Sequence, residues 1–383
     1  MDRISRLPTG LIETILCLLP IQEAARTSIL SREWKYYWTK IPQIAFIEDT
    51  FQVSNGGGEL SILEQRLGII SDRKVITARC KLFHAIYQVL LMHQGPIYDF
   101  TLSMVTNGSR VEIDLIILHL FKRNTIKVLK LDFNGSYRLP SSLFSLHQLT
   151  DLYLIDCLLD HLPSASVFGT NLTTLYFQEI RTSEKLLLRL LSSCPLLKRL
   201  TIMSDCGTIY VSGDSTITNL FECLPVIEYL NVWFFLFECF LPLPKELPTK
   251  LVHLKCLCME CVCFCYEYSV PLFVLLIRSS PSLEKLKLEI IDEDCHGEHE
   301  MTPFTMEDYP DIMLGRLKEL EILHFSNNKN ELDFLKCILP KSPALEKVRI
   351  LIWEEHEEEE KSEISETLLS FPCASPVVKF IVS

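Results

Sequence analysis

Four segments of this chain align on a proline: CPLLKRLTI (Pro195), LPVIEYLNV (Pro225), SPSLEKLKL (Pro281) and SPALEKVRI (Pro343). Each carries apolar residues two, five and seven positions later: Leu197, Leu200 and Ile202; Ile227, Leu230 and Val232; Leu283, Leu286 and Leu288; Leu345, Val348 and Ile350. Proline stops a helix, because it lacks an amide hydrogen and its ring clashes with the preceding turn. The last two apolar positions of each triplet, two residues apart, then share one face of a short strand. The triplet recurs without proline at Ile126/Leu129/Leu131, Leu149/Leu152/Leu154, Leu172/Leu175/Phe177, Leu254/Leu257/Met259 and Leu320/Leu323/Phe325, with a fainter copy at Ile97/Phe100/Leu102. From Ile126 onward, first members of successive copies stand 23 to 37 residues apart. Self-similarity at such a period sets the architecture before any local reading does.

The stretches between triplets read as helices. TSEKLLLRLLSSCP opens on a Thr/Ser cap and stops at Pro195, and ITARCKLFHAIYQVLLMH sets Cys80, Phe83, Tyr87, Leu90 and Leu91 near one face. One strand and one helix per unit predict an α/β leucine-rich-repeat solenoid with a parallel sheet on its inner wall. Strand alternation turns the residue between the last two triplet members outward: Lys130, Tyr153, Tyr176, Thr201, Asn231, Cys258, Lys287, His324 and Arg349. Asp151, Arg199, Tyr229 and Trp233 share that face. Aromatics anchor a protein partner and charges select it, so Tyr153, Tyr176, Arg199, Tyr229, Trp233, Lys287, His324 and Arg349 are the expected target-binding residues. For each aromatic, continuation of the core is the competing reading.

Composition removes other classes. Apolar residues make up 48% and charged residues 22% of the 383, which excludes bulk disorder. The greasiest stretch, YLNVWFFLFECFLPLP, is broken by Asn231, Glu238 and two prolines, so no membrane span is expected. LIETILCLLP is preceded by Asp2, interrupted by Glu13 and followed by no small-residue cleavage site, so it reads as part of a mature chain rather than a secretory signal. Fifteen cysteines, odd in number and irregularly spaced, suit free thiols in the nucleus or cytoplasm better than a disulfide framework. A net charge of −12 with no basic stripe argues against a nucleic-acid partner.

Candidate chemistry is sparse. KCLCMECVCFCY holds Cys256, Cys258, Cys261, Cys263 and Cys265, but structural zinc needs four ligands converging, usually from two separated pairs. Cysteines alternating along a strand read instead as buried or wall-lining thiols. DEDCHGEHE, with His296 and His299, lies in the longest interval between repeats and reads as a solvated loop; WEEHEEEEKSE reads as a charged connector. SNGGGE lacks the ending of a phosphate-binding loop, and no G-x-S-x-G occurs. No catalytic residue, metal or cofactor is expected.

The N-terminus is different in kind. On a helix of about 100° per residue, Leu11, Ile12, Ile15, Leu16, Leu18 and Leu19 fill an arc of about 160°, leaving Glu13, Thr14 and Cys17 opposite. A second helix follows in QEAARTSIL, and a third, capped by Ser31, carries Trp34, Trp38 and Ile41 on one stripe. Three short helices cannot close a core alone. An arc this wide serves two surfaces, one inward and one for another protein; packing wholly against the first repeat is the competing reading.

DRISRLPTGLIETILCLLPIQEAARTSILSREWKYYW resembles the F-box of plant F-box/FBD/leucine-rich-repeat proteins, through Leu7-Pro8, the Ile12/Ile15/Leu16/Leu19 helix, Leu19-Pro20, Ala24-Ala25, Thr27-Ser28 and LSREW. EIDLIILHLFKRNTIKVLKLDF resembles the start of that family's repeats, and SPALEKVRI…SFPCASPVVKFIV the end of its FBD region. Glu33 and Lys35 depart from the usual F-box residues without altering an apolar surface. The resemblance implies a substrate receptor of a Skp-cullin-F-box ubiquitin ligase, with ubiquitin transferred on other subunits. It divides the chain into an F-box (1–45), a repeat solenoid (46–304) and an FBD-like region continuing the repeats (305–383). It also implies that Leu7, Pro8, Ile15, Leu19, Pro20, Leu30 and Trp34 contact a Skp-type adaptor, and through it cullin, while the repeats hold an unknown protein target. The alternative is a non-catalytic repeat scaffold unconnected with degradation.

Overall fold

The repeated triplets become parallel strands whose equivalent positions lie side by side. In the computed structural model, residues 7–32, 34–48, 72–106, 110–163, 168–204, 209–210, 215–264, 266–291, 312–353 and 358–383 are described. They fall into two units: Met1–Leu172 with Glu179–Arg181, and Thr173–Gln178 with Thr182–Ser383. The 304/305 boundary and the DEDCHGEHE stretch lie outside the described residues.

The first unit begins with helices α1 (Thr9–Cys17) and α2 (Ile21–Arg26), which runs into a 3-10 turn (Thr27–Ile29). A longer 3-10 helix (Trp34–Lys40) follows. Strand β1 (Gln43–Ile47) crosses residue 45, helix α3 spans Asp72–Met92, β2 Asp99–Val105, α4 Arg110–Arg123, β3 Val128–Arg138 and β4 Asp151–Leu158. The strands pair in the order β1-β2-β3-β4, all parallel. The faint copy at Ile97/Phe100/Leu102 is a full repeat: Phe100 and Leu102 register against Leu129 and Leu131 and are buried with them. Strand β1 carries a further triplet, Ile41/Ile44/Phe46, all buried, with Ile44 and Phe46 in register with Phe100 and Leu102.

A staple joins the helices to the first repeats. His93 Nε2 lies 2.9 Å from the Ile41 carbonyl, and Arg123 donates to the carbonyls of Leu90, His93 and Gly95. Gly95 is dictated by this closeness, since a Cβ there would stand 2.8 Å from the Lys40 carbonyl oxygen. Helix α3 buries Leu82, Phe83, Ile86, Val89 and Leu90. The expected face was rotated: Cys80 and Leu91 are exposed, because Leu82 and Ile86 set the inward stripe.

The second unit runs β5 (Thr174–Gln178), α5 (Glu184–Ser192), β6 (Arg199–Met203), α6 (Ile217–Glu222), β7 (Tyr229–Trp233), β8 (Cys256–Val262) and α7 (Ser269–Ser279). It continues with β9 (Lys285–Ile290), β10 (Glu319–Phe325), α8 (Lys329–Ile338), β11 (Lys347–Ile352), α9 (Glu358–Leu369) and β12 (Lys379–Val382). Its strands are parallel in chain order from β5 to β12. The expected Thr/Ser cap holds: Ser183 Oγ accepts from the Leu186 amide of α5. Thr216 and Asn219 form a reciprocal capping box on α6. Part of WEEHEEEEKSE is α9 rather than a connector, because Ile364 and Leu368, one turn apart, bury a helical face.

One triplet shifts. Leu286 registers against Leu320 and Leu288 against Ile322, so the β10 triplet is Leu317/Leu320/Ile322, all buried, rather than Leu320/Leu323/Phe325. The cause is a kink after the strand core. His324 has φ 60°, as Asp156 (φ 52°) and Cys261 (φ 55°) do at the same position of β4 and β8. This left-handed step turns the next residue inward, burying Phe325, Cys157 and Val262.

Candidate interaction surfaces

The N-terminal helices divide their apolar residues between two faces. Ile12 and Leu16 of α1 are buried, as are Ile21, Ala24, Trp34, Trp38 and Ile41. Leu11, Ile15, Leu18 and Leu19 are exposed at helical spacing, Leu18 at 80%. Ile29 (87%) and Leu30 (65%) add a second exposed pair after α2. Such a cluster on a small element is the signature of a protein-binding surface. Of the expected adaptor contacts, Ile15, Leu19, Leu30, Pro8 and Pro20 are exposed and Leu7 is half-buried. Trp34 is corrected: it is only 5% exposed, meets Tyr37 edge-on at 5.7 Å, and its amide donates to Ser31 Oγ. Together with Trp38, 6% exposed, it fills the interior that these short helices must close. Leu11, Leu18 and Ile29 belong to the exposed face without having been expected there as contacts. For Leu11 and Leu18 the available signal was the width of the apolar arc.

Each unit also presents a strand face of its own. In the first unit, Lys130 lies over the Tyr153 ring at 5.5 Å and 3.9 Å from Asp99. Burial pushes the Asp99 carboxyl up, opposed by Lys130 and reinforced by Asp151. In the second unit, the Arg199 guanidinium sits over the Tyr229 ring at 4.8 Å, and Trp233 packs on Phe235 at 4.9 Å. Tyr176 donates to Gln178 at 2.9 Å. Thr201, Asn231 and Cys258 occupy the outward row yet are buried. Longer neighbours close over the row: the Asn231 amide donates to Glu260 at 3.0 Å, and Cys258 Sγ lies 3.8 Å from Cys256 Sγ. The Cys256 thiol, helped by Tyr229, Lys287 and Lys285, holds the Cys258 thiol below its ordinary range against the effect of burial.

Toward β11 the face becomes ionic. Lys285 and Lys347 both reach Glu319, at 2.9 and 3.0 Å, and Arg349 reaches Glu321 at 3.2 Å. Glu321 is therefore the β10 residue in the row of Lys287 and Arg349. His324 is corrected to the kink beside that row, where it meets Trp353 edge-on at 4.7 Å. Among the described residues, no group of three or more His, Cys, Asp or Glu could hold a metal, and no helix is long and apolar enough to cross a membrane. Cys265 lies outside the described residues.

Three family models match: F-box domain over residues 4–43, FBD-associated F-box protein At5g56370, LRR repeats, over 117–223, and At1g61320/AtMIF1, LRR domain, over 214–374. The F-box/FBD/LRR-repeat protein At1g13570 of Arabidopsis thaliana is 29% identical over 98% of this chain and 97% of its own length. The chain is similar to F-box/leucine-rich-repeat proteins over nearly its whole length. Two further Arabidopsis thaliana proteins match in part. F-box/FBD/LRR-repeat protein At3g52680 is 29% identical over 60% of this chain and 45% of its own length. The putative FBD-associated F-box protein At5g56440 is 26% identical over 60% and 47%. The F-box match covers the helices with the exposed apolar face, and the repeat matches cover strands of both units.

Proposed function

We propose that this chain is the substrate-recognition subunit of a Skp-cullin-F-box ubiquitin ligase in the nucleus or cytoplasm. The observation that carries the reading is the exposed apolar face of Leu11, Ile15, Leu18, Leu19, Ile29 and Leu30 within an F-box match. A Skp-type adaptor covers that face and links the chain to cullin. The strand face of the second unit takes a target protein through Tyr176, Arg199, Tyr229 and Trp233, with Lys287, Glu321 and Arg349 setting charge preference; Tyr153 offers a contact on the strand face of the first unit. This chain supplies no chemistry to ubiquitin transfer; it raises the effective concentration of target at the ligase.

Co-expression with a Skp-type adaptor and cullin tests this. Wild-type chain recovers both, while Leu18→Asp combined with Ile29→Asp loses them and keeps its fold. The double variant then serves as a trap, retaining targets that the complete ligase would consume. Failure of wild-type chain to recover the adaptor removes the ligase reading and leaves a repeat scaffold.

A further inference from the structure

The end of β3, the turn after it and the residues following β4 bring three side chains into series in the first unit. Ser141 opens the turn directly after Pro140, and its Oγ lies 2.8 Å from His161 Nε2. His161 Nδ1 lies 2.8 Å from Asp160 Oδ1. An ionised carboxylate only accepts, so Nδ1 carries the ring proton; in the neutral ring Nε2 is then the acceptor for the Ser141 hydroxyl. The other Asp160 oxygen is held by Arg138 at 2.5 Å, and this contact keeps the carboxyl below its ordinary range. Phe144 meets the His161 ring edge-on at 6.2 Å. Ser141 and His161 line a cavity of about 370 Å³ with Asp114, Arg138, Leu139 and Pro140.

Nucleophile, base and base-orienting carboxylate are thus hydrogen-bonded in order beside an open space, the arrangement that activates a serine. We propose that Ser141, His161 and Asp160 form a nucleophilic triad acting on small carboxylic esters bound in this cavity. Ser141 Oγ attacks the carbonyl carbon as its proton passes to His161 Nε2. The bond to the alcohol oxygen breaks, and the leaving alkoxide takes the proton from Nε2. Water, deprotonated by Nε2, then attacks the acyl carbon; the Oγ–carbon bond breaks, releasing the acid and restoring the hydroxyl. Arg138 is the cation that lines the cavity where negative charge develops on the carbonyl oxygen. Asp160 is a positioning residue. The site uses neither the adaptor face nor the target residues, so its fate is independent of the ligase reading.

A fluorophosphonate probe on purified full-length protein tests this, because it bonds phosphorus to an activated serine oxygen as fluoride leaves. Mass spectrometry is expected to find the adduct on Ser141 and not on the adjacent Ser142. His161→Asn should slow labelling about 100-fold, the scale of a lost general base, and Ser141→Ala should abolish it. Hydrolysis of p-nitrophenyl acetate should disappear in Ser141→Ala at unchanged circular dichroism. An unlabelled Ser141, or equal labelling of wild type and His161→Asn, overturns the proposal.

Discussion

Leu18 and Trp34 are both large apolar residues of the F-box, and their exposures of 80% and 5% assign them opposite roles. Leu18→Asp removes nothing from the interior, so stability should stay within about 0.5 kcal/mol while adaptor recovery is lost. Trp34→Ala empties the centre of the helical cluster and should cost about 3–5 kcal/mol, read as a lowered thermal midpoint. Equal midpoints for the two variants would refute this division. Which apolar residue faced which way was half-legible in the sequence. The arc of α1 showed that two faces were needed, but Trp34 was assigned outward from family resemblance alone. His93 gave no sequence signal, since its role depends on Ile41, 52 residues away. With Nε2–H donating to Ile41, Nδ1 faces Arg123 at 3.3 Å, and burial first, then Arg123, lowers its pKa. A histidine lowered in the folded state destabilises as pH falls below its unfolded value of about 6.5. Urea midpoints should therefore drop from pH 7 to 5.5 in wild type, and less in His93→Gln.

Elements were legible wherever period and punctuation agreed. The proline-aligned triplets fixed the core rows of β6, β7, β9 and β11, because proline marks where each helix must stop. Register failed at β10, where Gly315 stands in the proline's place and Leu320, Leu323 and Phe325 mimic the pattern by straddling a kink. That kink is a backbone event, invisible to apolar spacing, and it moved His324 off the row that Glu321 occupies. It also yields a test at Cys261, which stands at φ 55° in β8. Left-handed backbone costs an L-residue about 1–2 kcal/mol and is worst for β-branched side chains. Cys261→Val should lower stability, because β-branching adds to a cost that the cysteine already bears, while Cys261→Gly, which does not bear it, should stay within about 1 kcal/mol of wild type. A valine variant as stable as wild type would mean that the kink is not held in solution.

At the scale of the molecule, the second unit carries a charge ladder that the apolar repeats concealed. The residue one before each strand alternates in sign through Lys198, Glu228, Lys255, Glu284, Lys318 and Glu346. Glu228 bridges Lys198 and Lys255 at 3.0 and 3.2 Å, and Glu284 meets Lys318 at 2.9 Å. A backbone hydrogen bond joins each rung to the next, from the Glu228 amide to the Lys198 carbonyl and onward to Glu346. Exposed pairs of this kind contribute little singly, but a solenoid sums nearest-neighbour terms, so one favourable contact per interface adds along the stack. Hydrogen bonds from their lysines hold the Glu228, Glu284 and Glu319 carboxyls below the ordinary range. A lowered folded pKa means that this stability is present above the unfolded carboxyl value of about 4.3 and is lost as pH falls through the folded pKa. The urea midpoint should therefore fall as the pH is lowered from about 5 to 3, and Glu228→Gln should flatten that slope. Raising salt to about 1 M should shrink the difference between the two proteins at pH 7, since exposed charges are screened. A Glu228→Gln profile parallel to wild type at both salt concentrations would show that the ladder leaves repeat stacking unchanged.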